Sequence, residues 1–277
     1  MKIVYSSKCL EYGKEHIESP DRVESCYNLL KDKYEFVKSV KIKERDILKV
    51  HSKSYLQKLR DGKFQVEDTP AYSNIYEYAR LSAGGAVKAM KLALKGENSF
   101  SLMRPPGHHA GNHIWGFCYL NNIAIAVKKA LEHVEKIGII DIDCHHGNGT
   151  QEIFLGDDRI RYLSLHNFPF FPGTGEAHVG NCYNYPLSFG VGEKEYLEYF
   201  KKGLEEIRKF NPDVIAVSAG FDTYNKDPLG NMGLEVESYE KIGKMIKDLG
   251  KPVFSILEGG YSEDIDRCVR AYLKGLD

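Results

Sequence analysis

The segment DIDCHHGNG, residues 141–149, crowds carboxylates and imidazoles directly after the apolar run EKIGII. These are the side chains that hold borderline metal ions. Alternate side chains of an extended segment share a side, so Asp141, Asp143 and His145 are expected together and Ile142 and Cys144 opposite them. His145 and His146 must then diverge, so only one of them can join Asp143 at a common ion. Asp222, in SAGFDTY, ends another apolar run and offers a third ligand. Asp143, His145 and Asp222 make an O,N,O set with room for water, the pattern of a catalytic zinc site. The same donors suit Fe(II) or Co(II).

Two further segments carry chemistry. RPPGHHA places His108 and His109 after prolines that exclude a regular helix. The pair can ligate metal or move protons, and the ligand set already available favours proton transfer. EGGY sets Tyr261 behind two glycines, where its hydroxyl can be aimed at a site. Seven of the ten histidines lie between His108 and His166. That clustering weighs against the plainer reading of capping aspartates and solvated histidines.

These groups need elements to position them. The apolar runs 2–6, 99–103, 136–141, 160–165, 213–219 and 252–257 read as strands covered on both faces. Helical periodicity occupies 75–95, 119–132, 194–210, 236–249 and 262–275. Alternating strands and helices predict one α/β domain over residues 1–277 with a largely parallel sheet. Residues 166–190, rich in proline, glycine and aromatics, read as a long structured loop. In such sheets ligands bind beyond the carboxyl ends of strands, which is where the polar segments fall.

Bulk properties narrow the function classes. The chain has 277 residues, 42% hydrophobic and 28% charged, with net charge −1. No basic bias marks a nucleic-acid footprint, and no stretch reaches the roughly 20 apolar residues of a membrane span. Six cysteines stand widely spaced without a C-x-x-C pair. With an N-terminal stretch unlike a signal peptide, they indicate a reducing, cytoplasmic setting. Oligomeric state is not indicated.

RPPGHHA, GFCYLNN, DIDCHHGNGT, SLH with FFPGTG, SAGFD and LEGGY, in that order, resemble the zinc-dependent histone deacetylase and acetylpolyamine amidohydrolase superfamily. HIESPDR (16–22) and VHSKSYL (50–56) resemble its early motifs. The length is that of a minimal, class II-like catalytic domain. The resemblance implies the arginase–deacetylase fold, a central eight-stranded parallel sheet flanked by helices. It implies zinc on Asp143, His145 and Asp222, His109 as general base then acid, His108 as its electrostatic neighbour with Asp141 behind, and Tyr261 as oxyanion donor. Asn148 falls where class I members have an aspartate behind the base. Phe117 and Phe171 would line a tunnel, the Gly116 carbonyl would accept the substrate N–H, and Asp68 would grip substrate at the rim. Arg22 falls near an arginine of the family's internal cavity. K⁺ is implied on backbone oxygens of Asp141, Asp143, His145 and Leu165 and the Ser164 hydroxyl. The expected reaction is removal of acetyl or another short acyl group from acyl-lysine or a similar amine, releasing acetate.

Three rivals have discriminating residues. A binuclear arginase needs a second late D-x-D group, whereas SAGFDTYNKD offers one well-placed aspartate. An acetylpolyamine amidohydrolase wants an acidic gatekeeper where DPLGN supplies Leu229. A non-catalytic acyl-binding or assembly protein would have lost Tyr261, His109 or a ligand, and none is missing.

Overall fold

A computed structural model describes residues 1–277. One sheet of eight parallel strands organises the chain, in the order β2-β1-β3-β8-β7-β4-β5-β6. These are β1 (Lys2–Tyr5), β2 (Glu35–Lys38), β3 (Ser99–Ser101), β4 (Ile137–Asp141), β5 (Ile160–Asn167), β6 (Cys182–Leu187), β7 (Val214–Ala219) and β8 (Val253–Leu257). No helix is long and apolar enough to cross a membrane.

Strand alternation divides the core into two layers. On β7, Ile215 and Val217 face one layer while Val214 and Ala216 face the other. The first layer is closed by α1 (Asp21–Leu30), α7 (Glu193–Phe210), α8 (Val236–Lys247) and α9 (Ile265–Leu276). The second is closed by α3 (Lys53–Asp61), α4 (Ile75–Ala93) and α5 (Asn122–Ala130). Every residue of β4, β7 and β8 is buried, which explains why these strands read as unbroken apolar runs.

The six expected strands and five expected helices are present, with ends shifted by a few residues. The two unforeseen strands, β2 and β6, are the two edges of the sheet. Edge strands are covered less completely, so EFVK exposes Glu35 and Lys38, CYNYPL exposes Pro186 and half-exposes two tyrosines, and neither forms an apolar run. Pro186 within β6 is tolerated because an edge strand leaves one row of amides without a ladder partner. Residues 166–190 are therefore not one continuous loop, because β6 occupies their second half. Short helical segments, α1, α2 (Glu44–Ile47), α3 and α6 (Asn148–Phe154), also lacked a long enough period to be read.

β3, β8, β7, β4 and β5 are consecutive neighbours, so their carboxyl ends form one rim. The loops after them carry His108 and His109, Tyr261, Asp222, Asp143 and His145, and Phe171, respectively.

Candidate functional site

β4 ends at Asp141, and the chain then bends before α6 begins at Asn148. In that bend His145 Nδ1 lies 3.1 Å from Asp143 Oδ1 and 3.0 Å from Asp222 Oδ2. Both carboxylates are fully buried. Their other oxygens are held by main chain: Gly259 N donates to Asp143 Oδ2 at 2.8 Å and Cys144 N to Asp222 Oδ1 at 2.8 Å. Gly259 is required there, since a Cβ would stand 2.2 Å from Asp222 Oδ2 and 2.6 Å from Asp143 Oδ2.

One imidazole cannot neutralise two buried carboxylates aimed at the same nitrogen. Burial and the Asp143 charge push the Asp222 carboxyl above its usual range. The donor set thus fits a divalent cation: Asp143, His145 and Asp222 have ligand atoms within 4.8 Å of one another, and all three are buried. Cys144 belongs to the same cluster, its Sγ 3.3 Å from His145 Nδ1. The expectation that Cys144 faces away from these ligands is corrected here. Strict alternation holds within a ladder, and the ladder has already ended at Asp141. His146 does diverge, to Thr174 Oγ1 at 2.7 Å and Gln151 Oε1 at 3.2 Å.

Behind the cluster stand the two histidines of the loop after β3. His108 Nδ1 is 3.1 Å from Asp141 Oδ2, which also accepts from Tyr162 Oη at 3.0 Å. Burial opposes charge on His108, but Asp143 and Asp141 override it and push its pKa up to about 10. His109 Nδ1 is 2.7 Å from Asn148 Oδ1. Burial, then the charges of His108 and His145, hold His109 well below its usual range. The two adjacent imidazoles are therefore driven apart in protonation, which separates an electrostatic role from a proton-accepting one.

Tyr261 lies across the pocket. Its ring is 4.6 Å from the Arg22 guanidinium carbon and 5.7 Å from the Phe117 ring, edge to face. Burial keeps its phenol protonated, against the pull of Arg22. Arg22 Nε donates to Gly260 O at 2.5 Å and Nη2 to Glu258 O at 2.6 Å, clamping the main chain that leads into Tyr261.

A pocket of about 200 Å³ opens above these groups. Its apolar walls are Phe117, Phe171, Phe170 and Leu229. Gly116 and Asp68 also line it, with Asp68 Oδ2 accepting from Gly116 N at 3.2 Å. Pairing of β4 with β5 sets Asp141 opposite Ser164, beside Leu165. The Ser164 hydroxyl lies 2.9 Å from His166 Nδ1.

Several residues that build the site were not singled out from sequence. Glu258 is fully buried, accepts from Gly107 N at 2.6 Å and His108 N at 3.1 Å, and is pushed up to about 7 by burial. Its place in EGGY was the available signal. Trp115 donates from Nε1 to His109 O at 3.2 Å and packs 5.0 Å from Phe171. Glu18 bridges Arg22 and Arg104 in the interior. Phe170 stacks 5.6 Å from His145. Its neighbour Phe171 in the FFPG run was singled out, and both phenylalanines line the pocket.

The profile of the histone deacetylase domain matches residues 16–276. A probable deacetylase of Archaeoglobus fulgidus is 38% identical over 238 residues, covering 78% of this chain and 66% of that protein. Among solved structures, the HD domain of HDA15 superposes with TM-score 0.92 at 33% identity, covering 99% of this chain and 88% of that one. An acetylpolyamine aminohydrolase from Burkholderia pseudomallei superposes with TM-score 0.92 at 26% identity, covering 99% and 98%.

Proposed function

The chain belongs to the histone deacetylase family, and on that premise we propose that it is a metal-dependent amidohydrolase. Its substrate would be an acyl-lysine or similar acylated amine bearing an acetyl or other short acyl group, and its products acetate and the free amine. One observation carries this reading. A buried carboxylate–imidazole–carboxylate cluster, a histidine of depressed pKa and a neutral phenol meet on one apolar-walled pocket.

Asp143, His145 and Asp222 would hold the ion, taken as Zn²⁺, with Fe²⁺ or Co²⁺ also suited to the donors. When bound, such an ion supplies Lewis acidity toward the scissile carbonyl and toward water. His109 keeps its Nδ1 proton on Asn148 Oδ1, which leaves Nε2 as a base. Nε2 accepts a proton as water attacks the carbonyl carbon. Tyr261 donates its O–H to the oxygen on which negative charge develops. Nε2 then returns the proton to the departing amine nitrogen as the C–N bond breaks. Phe117 and Phe171 would flank an aliphatic chain, with the Gly116 carbonyl accepting the amide N–H and Asp68 at the rim. A monovalent cation, K⁺, would sit on the main-chain oxygens of Asp141, Asp143, His145 and Leu165 and the Ser164 hydroxyl. A cytoplasmic setting accords with six buried free cysteines.

Acetylpolyamine hydrolysis is the second reading, favoured by the Burkholderia neighbour. Leu229 on the pocket wall favours the first, since a leucine cannot attract a further ammonium group. Parallel rates on an acetyl-lysine peptide, longer acyl-lysine peptides and acetylspermidine, with and without chelator, test both. Absence of chelator-sensitive turnover on every substrate would leave only the non-enzymatic alternative, an acyl-binding or assembly role.

A further inference from the structure

The loop after β7 carries, beyond Asp222, a second buried carboxylate that lies outside the candidate metal cluster. Asp227 is 6% exposed. Its Oδ1 accepts from Leu229 N at 3.0 Å and Gly230 N at 3.2 Å. Its Oδ2 accepts from Tyr261 N at 2.6 Å and Ser262 N at 3.1 Å. One carboxylate thus closes two loops at once, each oxygen serving one loop.

The two loops carry opposite functions. Leu229 is part of the wall that meets substrate, and Tyr261 is the proposed oxyanion donor. The turn into Tyr261 requires glycine, because Gly260 has φ +113°, a conformation foreign to other residues. Arg22 fixes the carbonyl side of this turn through Gly260 O and Glu258 O. Asp227 fixes its amide side. The phenol is therefore aimed between a cation that holds carbonyls and an anion that holds N–H groups.

We infer that Asp227 is a positioning residue that couples the pocket-wall residue Leu229 to Tyr261, so that wall and oxyanion donor are held in one register. This rests on the deacetylase reading of Tyr261. Only a carboxylate can do it, since four N–H groups converge and each of its oxygens accepts two of them. An asparagine would turn an NH₂ group toward one pair of donors and release one of the two loops. A donor displaced by even 1 Å loses much of its effect on the transition state.

The test is a double-mutant cycle on Asp227→Asn and Tyr261→Phe, reading kcat and KM with metal content measured alongside. Asp227→Asn is expected to retain its metal and lose about 10- to 100-fold in kcat. In the Tyr261→Phe background the same change should cost less than about threefold, because the donor it positions is gone. Asp227→Glu keeps the charge but shifts both oxygens, so it should show the same non-additivity and serves if the asparagine variant does not fold. Equal losses in both backgrounds, or full activity of Asp227→Asn, overturn the inference. Full activity of Tyr261→Phe alone overturns instead the reading on which it rests.

Discussion

Asn148 Oδ1 lies 2.7 Å from His109 Nδ1, so the imidazole is oriented by a neutral amide where a charged group would also fit. Burial and the neighbouring charges of His108 and His145 already disfavour its protonated form. A carboxylate at position 148 would stabilise imidazolium and raise the His109 pKa. A general base works unprotonated, so the acidic limb of the kcat/KM profile should move to higher pH. In Asn148→Asp we expect a shift of about one unit or more. An unmoved limb would show that His109 is not the group titrating there.

Removing the Tyr261 hydroxyl should remove a transition-state interaction while leaving the pocket walls in place. Tyr261→Phe is expected to lose about 100- to 1,000-fold in kcat with little change in KM. Steady-state kinetics on an acetyl-lysine peptide checks this. A change confined to KM would assign the phenol to substrate binding.

Two buried carboxylates without a cation are costly, so metal should stabilise the fold as well as serve the reaction. Dialysis against chelator is expected to lower the melting temperature, and adding back Zn²⁺ to restore it. Asp143→Ala with Asp222→Ala should reduce bound metal from about one ion per chain to near zero by elemental analysis. Undiminished binding in that double variant would place the ion elsewhere.

The interior ion pairs around Glu18 make a separate demand on stability. Arg104, fully buried, donates Nε to Glu18 Oε1 at 2.8 Å and Nη2 to Oε2 at 2.7 Å, and Arg22 Nη1 reaches Oε1 at 2.8 Å. Glu18→Gln strands two buried guanidinium groups and should cost about 3–5 kcal/mol in a denaturant titration. A loss below about 1 kcal/mol would show that the Glu18 charge is not what holds the two guanidinium groups in the interior.

Substrate choice should respond to the charge of the pocket wall. Leu229→Glu is expected to raise kcat/KM for acetylspermidine relative to an acetyl-lysine peptide by about tenfold, the effect of roughly 1.4 kcal/mol of added attraction. An unchanged ratio would locate polyamine discrimination away from residue 229.

Legibility followed burial. β4, β7 and β8 were readable because both faces are covered and every position but the terminal Asp141 is apolar or small. β2 and β6 were not, because edges are half solvated and their composition resembles loop. The proposed metal ligands were readable because Asp143 and His145 are two residues apart and Asp222 follows closely on the clear strand β7. Cys144 was misplaced by applying strand alternation three residues past the end of β4.

The chain's residue types and local spacing determined which donors this protein owns and which strand ends deliver them, since both follow from neighbours a few positions away. Only the tertiary structure decided how those donors are held. Glu258 meets Gly107 across 151 positions, and Tyr261 meets Asp227 across 34. Such pairings depend on the order in which the strands lie side by side, a long-range outcome of packing both faces of the sheet that no local period encodes.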